Sequence, residues 1–204
     1  MDESMAPAER TAIVSRKTSE TQVEVRLGLD GSGRHAIATG LPFLDHMLAQ
    51  VAVHGLFDLS IQAAGDLQID PHHTLEDVAI SLGMAFRQAL GERKGIVRMG
   101  CYTVPMDESL GRVVVDFSGR PYAIFTGLWT LPVVGGIPNT LFAHFFESFA
   151  QAAGCNLHVE IVYGRDDHHK AEALFKSLGR ALDMAVRIDP RRAGGVPSSK
   201  GILF

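Results

Sequence analysis

His72-His73-Thr74-Leu75-Glu76 and His168-His169-Lys170-Ala171-Glu172 spell one pattern, His-His-x-x-Glu, twice in a chain of 204 residues. Working outward, each copy is preceded by a histidine inside an apolar run: Phe43-Leu44-Asp45-His46-Met47-Leu48 before the first, Leu141-Phe142-Ala143-His144-Phe145-Phe146 before the second. Further upstream, Gly33-Arg34 and Thr39-Gly40 answer to Gly119-Arg120 and Thr126-Gly127. The spacing between copies is nearly constant apart from one jump across a Gly/Pro-rich insertion, Leu131 to Pro138. One order of motifs at one spacing is the mark of an internal duplication.

Hydrophobic periodicity gives the two copies the same elements. Ile13–Lys17, Thr21–Leu29 and Arg34–Thr39 read as strands, with Val23, Val25, Leu27 and Leu29 alternating onto one face. Helices are predicted over Phe43–Val53, carrying Leu44, Met47, Leu48 and Val51, and over Thr74–Leu90, carrying Val78, Leu82, Ala85, Phe86 and Ala89, with a strand Leu59–Ala63 between them. Gly55 stands where a C-terminal cap belongs. The second copy repeats the order: strands Val97–Val104, Arg112–Phe117 and Tyr122–Thr126, a helix Asn139–Ala152, a strand Leu157–Tyr163 and a helix Lys170–Arg187. The expected fold class is α+β, two half-domains of three strands, helix, strand, helix, with sheets packed on helices. The expected divisions are a disordered N-terminus at 1–10, half-domains at 11–95 and 96–189, and an extended tail at 190–204.

Composition narrows the function. Hydrophobic residues make up 46% and charged residues 21% of the chain, ordinary values for a globular protein. The net charge of -4 argues against a nucleic-acid partner. No apolar run spans a bilayer, and the N-terminus lacks an apolar signal core, so a cytoplasmic protein without a membrane partner is expected. Cys101 and Cys155 lie far apart and indicate neither a disulfide framework nor a thiolate metal site.

Of nine histidines, six fall in the duplicated motifs: His46, His72, His73, His144, His168 and His169. His35, His54 and His158 read as ordinary surface or packing residues. Near a helix start, residues three or four apart share a face, so Glu76 can join His72 or His73 but not both equally. Adjacent histidines project about 100° apart on a helix, which suits two ions better than one. With Glu76 and Glu172 the motifs offer eight ligands in two equivalent sets, four for each ion of a dinuclear site. Imidazole and carboxylate without thiolate suit manganese, iron, zinc or cobalt, and such a set leaves coordination positions open for substrate. Asp66, Asp70, Asp77, Asp166 and Asp167 either orient ligand rings or serve as solvated or helix-terminal acids. A dinuclear hydrolase is disfavoured because bridging aspartates are scarce at the motifs. A storage oligomer would leave Arg98, Arg120 and Lys200 without a purpose.

The runs FLDHML (43–48), DPHHTLED (70–77) and GRDDHHKAEALFK (164–176), the opening RKTSETQVEVRLGLDGSG (16–33) and the closing SSKG (198–201) resemble the signatures of the imidazoleglycerol-phosphate dehydratase family. The resemblance runs from about Arg16 to Gly201. It implies a ribosomal S5 domain 2-like fold and the dehydration of D-erythro-imidazole-glycerol phosphate to imidazole-acetol phosphate in histidine biosynthesis. It also implies two manganese ions per site, and a homo-oligomer, a 24-mer, with sites between subunits. His46, His72, His73, Glu76, His144, His168, His169 and Glu172 would be the metal ligands. Glu20, Glu172 and His46 would be the catalytic groups. Glu20, His46, Gln50, His72, Glu76, Arg98, Arg120, His168, Lys176, Ser198, Ser199 and Lys200 would contact the small phosphate substrate. The proton to be removed lies beside an imidazole rather than a carbonyl and is weakly acidic. Cations on both ring nitrogens would favour the imidazolate, which can expel the neighbouring hydroxyl, with Glu20 as the acid/base.

Overall fold

In a computed structural model, which describes residues 10–192 and 194–203, the first half runs β1 (Thr11–Lys17), β2 (Thr21–Gly28), β3 (His35–Ala38), α1 (Pro42–Gly55), β4 (Asp58–Gly65) and α2 (His72–Leu90). The second half repeats this as β5 (Met99–Met106), β6 (Ser109–Asp116), β7 (Tyr122–Thr126), α3 (Thr140–Ala153), β10 (Asn156–Tyr163) and α4 (Asp167–Val186), with the insertion forming a small hairpin of β8 (Val133–Val134) and β9 (Ile137–Pro138). The sheets have equivalent orders, β1-β2-β4-β3 and β5-β6-β10-β7. In each, the third strand pairs parallel to the fourth while the other pairings are antiparallel. The α+β duplication expected from the motifs is therefore the architecture of the chain. Residues 1–9 of the segment expected to be disordered lie outside the described residues.

The alternation along β2 has its physical consequence: Val23, Val25 and Leu27, with Leu29 just past the strand, are buried, and Leu157, Val159 and Ile161 are buried on β10. These inner faces meet the apolar faces of the helices. α2 packs on β1, β2 and β4, α4 packs on β5, β6 and β10, and the helices then meet across the halves, α1 against α4 and α2 against α3. The helical layer between two sheets holds the core, with Phe86 of α2 edge-on to Phe149 of α3 at 5.7 Å. Two glycines allow this close crossing. A Cβ on Gly83 would stand 2.6 Å from the Phe149 carbonyl oxygen, and one on Gly179 would stand 2.8 Å from that of Val51.

Two local expectations change. Gly55 is the last residue of α1 rather than its cap. Leu56 takes the left-handed position, φ 58°, while a Cβ on Gly55 would collide with the Phe57 ring and approach the Gly179 carbonyl oxygen. The glycine is required by packing, and the leucine tolerates the strained turn. Both histidine-bearing helices also begin before Thr74 and Lys170, because aspartates satisfy their first amides. Asp70 accepts from the His72 amide at 2.8 Å, and Asp166 caps α4 by accepting from the amides of His168 and His169. Each His-His pair thus lies in a first helical turn.

Candidate metal and substrate site

The cross-half helix pairs bring the motif side chains together in two clusters. In one, His46 of α1 meets His168 and Glu172 of α4; in the other, His72 and Glu76 of α2 meet His144 of α3. Within each cluster the ligand-type atoms all lie within 4.8 Å of one another. Glu172 Oε2 is 3.1 Å from His46 Nε2 and 3.3 Å from His168 Nε2. Glu76 stands 3.4 Å from His144 Nε2 and 4.0 Å from His72 Nε2. Each glutamate therefore shares a face with the first histidine of its pair, four residues earlier, one of the two spacings a helical turn allows.

The donor chemistry fits divalent cations. Two imidazole nitrogens and a carboxylate oxygen converge in each cluster without a thiolate. His144 Nε2 is buried with no hydrogen-bond partner, since Glu76 is too poorly aligned to serve, which leaves a lone pair or proton aimed into the cluster.

The clusters are not identical. Lys176, one turn after Glu172, bonds it at 2.7 Å, whereas Ile80 occupies that position after Glu76. Burial pushes the Glu172 carboxyl up, but the hydrogen bonds from Lys176 and His46 outweigh it and hold the group at about 2. Gln50 lies one turn beyond His46, its Nε2 3.5 Å from the His46 Nδ1.

The second histidine of each pair points away from both clusters. His73 Nδ1 lies 3.0 Å from Asp66, and the bond raises the pKa of the ring. His169 Nδ1 lies 2.8 Å from Glu108, with the same effect. Of the flanking acids, only Asp66 orients an imidazole side chain. Asp70 accepts from the first amide of α2, Asp166 caps α4, Asp77 pairs with Arg16 and Thr21, and Asp167 pairs with Lys170 in the interior. Glu108 escaped sequence reasoning because the acids of a turn, here Asp107-Glu108, have no spacing signature. The duplication carried the signal: Glu108 immediately precedes Ser109 of β6 as Glu20 immediately precedes Thr21 of β2.

Glu20 sits exposed in the β1–β2 turn, close enough to His73 for its charge to favour the protonated ring. Arg98, Arg120, Ser198, Ser199 and Lys200 come together around a separate cavity of about 150 Å³ whose lining includes no histidine. Arg98 takes a left-handed backbone conformation, forks onto Asp116 at 2.6 and 2.8 Å, and holds the tail through the Pro197 carbonyl at 2.8 Å. Of the expected substrate contacts, Gln50 and Lys176 belong to the His46 cluster rather than to this cavity. His35, His54 and His158 stand outside both clusters.

Two pseudo-equivalent His/His/Glu clusters, each built from both halves of a duplicated α+β chain, define the class of protein. Residues 39–182 match the family model for imidazoleglycerol-phosphate dehydratase. The imidazoleglycerol-phosphate dehydratase of Roseiflexus sp. is 56% identical over 199 residues, 98% of this chain and 100% of that protein. That of Dehalococcoides mccartyi is 55% identical over 194 residues, 95% of this chain and 97% of that one. Among solved structures, IGPD from Pyrococcus furiosus superposes with a TM-score of 0.81 at 34% identity, covering 93% of this chain and 100% of that chain. Imidazoleglycerol-phosphate dehydratase from Staphylococcus aureus gives 0.78 at 34% identity, covering 87% of this chain and 100% of that chain. The chain belongs to the imidazoleglycerol-phosphate dehydratase family and is an enzyme of histidine biosynthesis.

Proposed function

We propose that the chain dehydrates D-erythro-imidazole-glycerol phosphate to imidazole-acetol phosphate at a site that uses two divalent cations, manganese foremost, and that is completed between copies of the chain. The observation that carries the reading is the division of the ligand set. Six motif residues form two compact clusters, while His73 and His169 are pinned facing elsewhere. A closed oligomer, a 24-mer in this reading, lets these two histidines complete clusters on neighbouring copies. The phosphate-type cavity, free of histidines, supports the same composite arrangement. No described helix is long and apolar enough to cross a membrane, and two unpaired cysteines suit a reducing cytoplasm.

Bound in the clusters, the cations would stabilise the anionic form of the substrate ring. The His46 cluster with Gln50 and the His72 cluster would hold the ring in place. Arg98, Arg120, Ser198, Ser199 and Lys200 would grip the phosphate and spend its binding energy on orientation. Glu20 would move the proton between the reacting carbon and the departing hydroxyl through its carboxylate oxygens.

The deciding experiment is a turnover assay with imidazoleglycerol phosphate on chelated protein, before and after manganese is restored. Manganese-dependent imidazole-acetol phosphate, with the phosphate ester intact, is the expected result. Release of inorganic phosphate would replace the dehydratase reading with a hydrolase. Chelation is also expected to shrink the particle, measured by light scattering; an unchanged size would separate metal from assembly.

A further inference from the structure

Glu20 and Glu108 occupy equivalent turns of the two halves, yet they are engaged very differently. The Glu108 carboxylate accepts from His169 Nδ1 at 2.8 Å, from the amides of Arg165 and Asp166 at 3.1 and 2.8 Å, and from Ser109 Oγ at 3.1 Å. Four donors hold it so that it cannot swing away. Glu20 has no hydrogen bond or ion pair to its carboxylate among the described residues, and it lies exposed. The difference arises in the loops that lead into the histidine helices. The segment before α2 spans 66–71 and supplies Asp66, which takes the Nδ1 of His73. The segment before α4 spans only 164–166, and its one acid, Asp166, is spent on the amides of His168 and His169, so no acid of that loop bonds the His169 ring.

We propose that Glu108 is a positioning residue that fixes the His169 ring for metal ligation through Nε2, the task Asp66 performs for His73, and that this division of labour leaves Glu20 unengaged for proton transfer. A neutral imidazole that donates from Nδ1 presents its lone pair at Nε2, and a carboxylate on the far nitrogen both sets the ring's angle and strengthens it as a ligand. Asp107, 3.9 Å from His169 Nε2 and largely exposed, and Asp166, engaged with backbone amides, add charge near the ring but make no hydrogen bond to it. The inference rests on the metal reading proposed above.

The test compares the full-length protein with Glu108→Ala, Glu108→Gln and Asp66→Asn, titrated with manganese alone and followed by the loss of the free-ion paramagnetic resonance signal. Wild type is expected to bind manganese at both clusters. Glu108→Ala is expected to weaken half of the sites about 10- to 100-fold and leave the other half, with turnover recovering when manganese is in excess. Glu108→Gln is expected to restore part of the affinity, because its amide oxygen still accepts from Nδ1. Asp66→Asn, which likewise keeps an acceptor but loses the charge, should weaken the complementary half to the same partial extent as Glu108→Gln weakens its own. Unchanged manganese affinity in Glu108→Ala overturns the proposal. So does a loss of affinity matched by a lower melting midpoint in chelator and not rescued by glutamine, which would make Glu108 only a brace for the 165–166 backbone. If wild type itself binds no manganese, the metal reading fails first, and the titration separates the two cases.

Discussion

At the residue scale, the two glutamates of the motifs and the glutamate of the first turn have different expected signatures. Glu172→Ala removes a carboxylate that lies within 3.3 Å of two histidines, and Glu76→Ala removes its counterpart. Each is expected to lower bound manganese, measured after gel filtration. Full stoichiometry in both variants would show that neither is a ligand. Glu20→Gln should instead keep its metal and lose turnover by two to four orders of magnitude, about what a missing acid/base group costs; near-normal turnover would remove Glu20 from the chemistry. The Glu172→Ala variant also frees Lys176, whose ammonium is otherwise bonded to that carboxylate. A companion Lys176→Met change therefore distinguishes a lost ligand from an unpaired, half-buried cation. Which histidine of each pair accompanies the glutamate could not be read from the chain, because both candidate spacings fall on one helical face. The structure shows it: the first histidine joins the glutamate, while Asp66 and Glu108 hold the second.

At the scale of elements, the clusters exist because α1 lies close to α4 and α2 close to α3. Gly179 and Gly83 set those distances. Gly83→Ala would drive a methyl to 2.6 Å from the Phe149 carbonyl oxygen, with helix backbone on the other side leaving little room to yield. Overpacking of this kind costs about 1–3 kcal/mol. A calorimetric melt in chelator is expected to fall by about 2–4 °C for each kcal/mol lost, and manganese affinity should drop with it as His72 and Glu76 move relative to His144. A melt equal to wild type would show that the crossing is loose. In the insertion, Gly135 and Gly136 both take positive φ, 57° and 83°, as a tight two-residue hairpin turn demands. A Cβ on Gly135 would enter the ring of Phe43, whose edge contacts His168 at 5.1 Å. The Gly/Pro stretch that reads as a mere interruption of the repeat is thus packed against the residue that backs one cluster.

For the whole molecule, acid stability follows from paired aspartates at the edges of the fold. Hydrogen bonds from Arg10 to Asp30, from Arg34 to Asp58 and from Arg191 to Asp189 lower those carboxyls below their ordinary value of 3.8, Asp189 to about 2. A lowered folded-state pKa stabilises above the unfolded value and is lost as pH falls through the folded one. Metal-free protein is therefore expected to hold its circular-dichroism signal down to about pH 4, near the free aspartate value, and to lose stability below it. Asp30→Asn should shift the loss toward higher pH, and a midpoint that does not move would mean the edge pairs are inert.

The sequence by itself determined the duplication, the α+β elements, the buried faces of strands and helices and the residue types of both clusters. Those properties are local: alternation, helical periodicity and repeated motifs are written in neighbouring residues. Only the tertiary structure decided that His46 joins His168 and Glu172 rather than the motif of its own half, that His73 and His169 face away, and that Glu108 holds one of them. Such pairings depend on how close helices from different halves can approach, and that distance is fixed by glycine-lined crossings between segments far apart in the chain.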